Sequence, residues 1–185
     1  MDELEAWLLL LRTLGLNIAT SHILLEKCGS ANTILNTSAS ELERLGVRKK
    51  AISAIQHADS KTVQADIEWA ASNDDHHIIS YHDNRYPQHL KTIVDAPILL
   101  YVRGDPDYLQ QPQLAMVGSR TPTAVGKRTA FDFAKHLSNS GITITSGLAR
   151  GIDGASHQGA LQGIAGTVAV LAHGLDIVYP ATHRA

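Results

Sequence analysis

The sequence predicts an α/β protein. A small helical bundle leads into a Rossmann-like sheet, doubly wound and mainly parallel, that is incomplete at its C-terminal end. Three observations carry this reading. Apolar residues recur at helical spacing through residues 1–72. Short runs rich in Ile, Leu, Val and Tyr, bounded by Pro and Gly, begin at His77. Gly118, Gly147 and Gly174 then end three strand-like runs at intervals of 29 and 27 residues, the length of a βαβ unit.

Within residues 1–72, Leu4, Trp7, Leu8 and Leu11 mark the apolar face of a first helix. The stretch "LNIATSHILLEKCG" repeats the pattern and reaches Gly29, a C-cap. "TSASELERLG" places Ser40, Glu41 and Glu43 near a helix start and Gly46 at its end. "RKKAISAIQHADSKTVQADIEWAASN" continues as one or two helices. The polar "NDDHH" links this domain, residues 1–72, to a second over residues 77–185.

The second domain opens with "HIISY" and "PILLYVRG" as strands. A regular alternation follows: "QLAMVG" as a buried strand, "GKRTAFDFAKHLSNSG" as a helix, "ITITSG" as a strand, "DGASHQGALQG" as a helix and "GTVAVLAHG" as a strand. Such units make parallel strands with right-handed crossovers. The chain ends at "YPATHRA", where a mononucleotide-binding half continues into further strands. It therefore reads as a shortened form of a longer protein, with its last strand edge unprotected.

Composition narrows the function classes. No run approaches the ~18 apolar residues of a membrane span, and the start "MDELEAWLLLLRTLG" is acidic, the reverse of a secretory signal. The single cysteine, Cys28, forms no internal disulfide, and no cysteine cluster has metal spacing, so a reducing, cytoplasmic setting is expected. The net charge of −2 argues against a broadly basic nucleic-acid binder. It divides unevenly, however. Residues 1–113 hold 10 Lys/Arg against 15 Asp/Glu, a net of −5, and residues 114–185 hold 6 against 3, a net of +3.

In open parallel sheets, ligands bind beyond the carboxyl ends of the strands, and three loops lie there. In "GSRTPTAVG", Gly118 admits a ligand to the backbone and Ser119 and Thr121 offer hydroxyls. Arg120 adds a planar cationic fork, and the following helix adds free amides. That combination suits an anion, most often a phosphate. In "SGLARGIDGASH", Ser146 and Gly147 repeat the small-residue turn, with Arg150 and Gly151 next. Asp153 reads first as an N-terminal helix cap, His157 as a packed histidine bonded to a neighbouring loop, and Arg150 as either an anion contact or a partner of Asp153. In "AHGLDIVYP", Gly174 permits close approach, while Tyr179 reads as packing beside Pro180 rather than stacking on a base.

The missing motifs matter as well. Without G-x-G-x-x-G or G-x-x-x-x-G-K-[ST], neither a dinucleotide cofactor nor a P-loop nucleotide is supported, and no cofactor is expected. No nucleophile pairs with a base at recognisable spacing. His76, His77 and His82 do not form a metal motif by their spacing. The competing reading is an enzyme acting on a nucleotide or phosphosugar, for which Asp153 and His157 are the only nearby acid–base pair. In the helical part, "LGLNIAT" and "LGVRKKA" resemble the glycine turns of helix-hairpin-helix and SAM-like modules. Arg48, Lys49 and Lys50 would assist a phosphate there, although each turn lacks the second glycine, and a spacer or interaction domain is the plainer reading.

Four consecutive blocks, "YPQHLKTIVDAPILLYVRGD", "LAMVGSRTPTAVG", "TITSGLARGIDGASHQGAL" and "TVAVLAHGLDIVYP", together resemble the DNA-processing protein A family (DprA, also called Smf), from about Tyr86 to Pro180. The resemblance implies a SAM-like N-terminal domain and a cytoplasmic, non-catalytic protein that binds single-stranded DNA. It further implies loading of the RecA recombinase in natural transformation, with single-strand-binding protein displaced indirectly. By that pattern Arg120 contacts DNA phosphate beside Ser119 and Gly118, and Ser146, Gly147 and Arg150 line the same pocket. The sequence departs from the family at Ala181, where many members carry Lys or Arg after "YP" (His183 and Arg184 follow), and at His173, usually a small or hydroxyl residue. The family's homodimer interface and RecA contacts lie largely in a region beyond this chain.

Overall fold

The structure is a computed structural model and describes residues 2–13 and 16–177. The chain divides into two compact units, Met1–Gly104 and Asp105–Ala185.

The first unit contains α1 (Glu3–Leu11), α2 (Ile18–Cys28), α3 (Ala31–Asn36), α4 (Ala39–Arg44), α5 (Lys49–Gln56) and α6 (Gln64–Ala71), then β1 (His76–Ser80) and β2 (Leu99–Arg103). The α1 sequence is apolar all round in its middle, and Ala6 through Leu10 are all buried, as expected of a central helix. Hydroxyl and amide caps set the later helix starts. Asn17 accepts the Thr20 amide at 2.8 Å, Ser30 that of Thr33 at 3.1 Å and Ser38 that of Glu41 at 3.3 Å. Gly29, at φ +83°, ends α2 as predicted, its amide donating to the Leu25 carbonyl. Trp7, Leu8, Leu10, Leu24 and Ile34 fill the core, each contributing roughly 1.5–3 kcal/mol by burial. Arg12 donates to Asp66 at 2.6 Å and ties the end of α1 to α6.

The sequence placed β1 and β2 in the second domain, beginning at residue 77. They belong instead to the first compact unit, pairing antiparallel from His76↔Arg103 to Ser80↔Leu99. The reason is burial: Ile78, Ile98 and Leu99 share one core with Trp7, Leu8 and Leu24. The histidines there are separately engaged. His76 stacks on Trp69 at 4.3 Å and His82 meets Trp7 edge-on at 5.3 Å. Among the described residues no group of His, Cys, Asp or Glu is arranged to hold a metal ion, and no helix is long and apolar enough to cross a membrane.

The second unit contains β3 (Gln113–Ala115), α7 (Ala124–Asn139), β4 (Thr143–Ser146), α8 (Ile152–Ala160) and β5 (Thr167–Ala169). The strands are parallel in the order β3-β4-β5, as the glycine spacing predicts. This is one wing of a Rossmann-like sheet, with α7 and α8 packed on each other and on β4. Ala134, Ile144 and Ala160 form its core, with Met116 and Leu137 against them. The expected burial of β3 is not met: Gln113, Leu114 and Ala115 are all exposed, because among the described residues β3 is an edge strand hydrogen-bonded to β4 alone.

Tyr86 is fully buried and donates to the Pro97 carbonyl at 2.7 Å; burial, with Tyr81 adding to it, pushes its hydroxyl up to about 12. A phenol whose folded pKa lies above the unfolded value of about 10 contributes stability that is present below pH 10. That contribution is lost as pH rises towards 12. Urea unfolding of the wild type is expected to weaken across this window. Tyr86→Phe should start about 1 kcal/mol less stable and show a shallower alkaline loss.

Candidate functional site

The C-terminal ends of β3 and β4 lead into two loops that the structure joins into one surface. The Ile152 amide donates to the Ser119 carbonyl at 3.1 Å. Gly151, at φ +89°, lies directly against the Ser119–Arg120 backbone. A Cβ there would collide with the Ser119 carbonyl oxygen and come within 2.9 Å of the Arg120 Cα. Gly118 meets Ile152 in the same way, with 2.8 Å to its Cβ. Glycine is therefore required at both positions for close approach, and at Gly151 for its left-handed backbone as well.

Ser119 folds back locally, its hydroxyl oxygen accepting the Thr121 amide at 3.1 Å and leaving its proton for another acceptor. Thr123 is the N-cap of the 16-residue α7, accepting the Gly126 amide at 3.0 Å. Gly118, Ser119, Arg120, Thr121 and Gly147 are all exposed. Among the described residues, the amides of Gly118, Ser119, Arg120, Leu148, Arg150 and Gly151 have no acceptor. Arg120, Lys127 and Arg150 are exposed and enter no ion pair there, whereas Arg128 on the same helix is held by Asp132 at 2.6 Å.

The two helix starts on this rim differ in charge. The first turn of α7 has no acidic residue, so its positive dipole end is open beside Arg120 and Lys127. The first turn of α8 already holds Asp153. Asp153 is not the cap predicted for it: Gly151 occupies that position, and Asp153 is the second residue inside the helix, buried to 7% exposure. Its Oδ2 takes the Ala149 amide at 3.4 Å, and the alternative ion pair with Arg150 is not formed.

Other predicted residues support the rim from below. Ser146 is buried, and its hydroxyl donates to the Met116 carbonyl at 2.6 Å, tying β4 to the end of β3 instead of facing a ligand. His157 is buried and bonded through Nδ1 to Thr167 Oγ1 at 2.7 Å. Thr167 in turn donates to the Ile144 carbonyl at 2.6 Å, so His157 Nδ1 carries the proton, and a chain of bonds links α8, β5 and β4. Gly174 sits in the third loop, where an added side chain would meet Asp176. Tyr179, Pro180, Ala181, His183 and Arg184 lie outside the described residues.

Two features escaped the sequence reading. Leu148 is the one non-glycine among the described residues with positive φ, +57°. No residue type announces that conformation in a leucine. Lys127 was legible in retrospect, since Pro122 and the cap Thr123 fix it in the first turn of α7.

An open parallel sheet with paired glycine loops at its carboxyl rim, where among the described residues several amides lack acceptors and two arginines enter no ion pair, defines a class: an α/β protein of Rossmann-like fold. The sequence profile of the DNA recombination-mediator protein A family matches residues 77–185, and the chain belongs to that family. It is 40% identical over 123 residues to protein Smf of Escherichia coli, a match covering 66% of this chain and 33% of that protein. It is 42% identical over 102 residues to DNA processing protein DprA of Streptococcus pneumoniae, covering 55% and 36%. The chain thus spans about a third of the length of these relatives. Among solved structures, Streptococcus pneumoniae DprA matches with a TM-score of 0.78 and 30% identity, covering 100% of this chain and 63% of that one. A Helicobacter pylori DNA processing protein A, described for its single-stranded DNA binding mode, matches with a TM-score of 0.52 and 29% identity, covering 58% and 47%.

Replacing Gly151 with Ala is expected to force the two loops apart. Circular dichroism melting should show a destabilisation of at least ~2 kcal/mol, against less than ~0.5 kcal/mol for Gln158→Ala on the exposed side of α8.

Proposed function

We propose that this chain binds single-stranded DNA through its phosphate backbone, and that it does so as part of a recombination mediator. The observation that carries the proposal is the joined rim. Two loops locked at Gly151 present, among the described residues, amides without acceptors, two arginines in no ion pair and the open start of α7 on one edge of the sheet. Phosphate is the anion such a rim suits best. Amides and a helix start complement its charge, and guanidinium forks match its oxygens two at a time. Arg120 is the principal contact, with Gly118, Ser119 and Thr121 beside it, Gly147 and Arg150 across the loop junction and Gly174 at the outer end.

The Helicobacter pylori relative's single-stranded DNA binding and the family's recombination-mediator character support the same reading. In the full-length family this activity delivers DNA to the RecA recombinase during natural transformation, with single-strand-binding protein displaced as a consequence. Homodimerisation belongs to that longer protein, and the compartment is the cytoplasm.

The rival reading, an enzyme on a nucleotide or phosphosugar, needs Asp153 and His157 as acid and base. Both are buried, and His157 turns its Nδ1 proton inward to Thr167. A binding role without catalysis is favoured.

Fluorescence anisotropy of a labelled oligo-dT at two salt concentrations tests the proposal. Wild type should bind in a salt-sensitive manner. Arg120→Ala and Arg150→Ala should weaken binding to all base compositions alike and reduce the salt slope by about one ion each. Undiminished binding by Arg120→Ala, or a mononucleotide that outcompetes the oligonucleotide, would sink it.

A further inference from the structure

Asp153 raises a question that the phosphate site does not answer. The residue is 7% exposed and lies beneath a rim proposed to attract anions, yet among the described residues it has no cationic partner. The carboxylate's position suggests what it does there. Oδ2 accepts the Ala149 amide at 3.4 Å and lies 3.1 Å from where a Cβ of Gly147 would stand. It therefore lies beside Leu148, among the described residues the single non-glycine with a left-handed backbone. Strained backbone of this kind persists only where the surroundings hold it; Asp153 accepts the amide after Leu148 and lies near the residue before it, and the Gly154 amide donates to the Ala149 carbonyl at 3.0 Å.

The left-handed residue also has a consequence for the rim. Alternating backbone hands turn successive amides towards one point and create an anion-binding concavity. In this loop the amides of Leu148, Arg150 and Gly151 have no acceptor among the described residues, while that of Ala149 is directed to Asp153.

We propose that Asp153 is a positioning residue that clamps Leu148 in its left-handed conformation and so preforms the amide cradle of the second loop. The proposal rests on the phosphate-binding reading above. Asp153 touches no ligand; it acts through residues 147–149.

The test combines a substitution series with a measurement that needs no ligand. Asp153→Asn keeps an acceptor of the same shape but weakens it. Backbone amide exchange over residues 148–151 should become about tenfold faster, with the melting temperature little changed, and oligo-dT affinity should fall by a similar factor. In a Leu148→Gly background, where positive φ carries no strain, the same substitution should change affinity by less than about threefold. A merely structural role would give equal losses in both backgrounds, and that result overturns the proposal. So does unchanged exchange over residues 148–151 in Asp153→Asn. Should Asp153→Asn fail to fold, Leu148→Val and Leu148→Gly decide the matter with Asp153 intact. The β-branched residue should lose affinity and glycine should keep it, and equal binding by the two overturns the clamp. If wild type itself does not bind oligo-dT, the DNA reading fails, while the exchange comparison still decides the role of Asp153.

Discussion

The Ser119 carbonyl accepts the Ile152 amide, and Gly151 lets the two backbones come that close. Everything on the rim depends on this junction. It fixes Arg120, which leaves β3, relative to Arg150, which leaves β4, although 29 residues separate Gly118 from Gly147. Two arginines on independent loops would lose side-chain and loop entropy when they converged on a ligand. Here much of the loop ordering is already present in the fold, which is what preorganisation means energetically.

The second unit has a small buried apolar core. Its buried core is Ala134, Ile144 and Ala160, supported by Met116 and Leu137, while Val117, Val125, Phe133, Leu161 and Ile164 are exposed. Polar ties do much of the rest. Ser138 donates to the Ala160 carbonyl and accepts the Ala165 amide, Thr143 donates to Ala165, and Thr167 links His157 to Ile144. Buried hydrogen bonds of this kind have fixed geometry, so they hold the strand ends in register where hydrophobic contact alone would tolerate sliding. The first unit follows the opposite plan, a large apolar core around α1 with capped helices.

Electrostatics give the rim its direction. Asp153 already occupies the start of α8, and the start of α7 is left without an acid. Under the proposed function, a phosphate would meet the α7 end, Arg120 and Lys127 on one side and the second loop's amides on the other. The chain's overall charge of −2 conceals this, because Arg120, Lys127 and Arg150 are exposed and, among the described residues, in no ion pair, and the acids are concentrated elsewhere.

Much of this was legible in the sequence. Strand–helix alternation and the spacing of Gly118, Gly147 and Gly174 determined three parallel strands, since period and glycine punctuation are local properties. Residue chemistry likewise marked Arg120 and Arg150 as anion contacts, a role the geometry permits and leaves to experiment. Tertiary packing decided the rest. It drew β1 and β2 into the helical unit, because Ile78, Ile98 and Leu99 found their apolar partners on α1 and α2. It exposed β3, whose apolar residues read as buried, because burial depends on neighbours that a strand's own sequence does not name. It turned Ser146 inward to Met116, placed Asp153 inside the helix it was expected to cap, and held Leu148 at a backbone angle no leucine prefers. Local pattern fixes which elements form and which chemistry they carry. Which way a side chain faces is settled only when distant segments compete for the same space and the same hydrogen bonds.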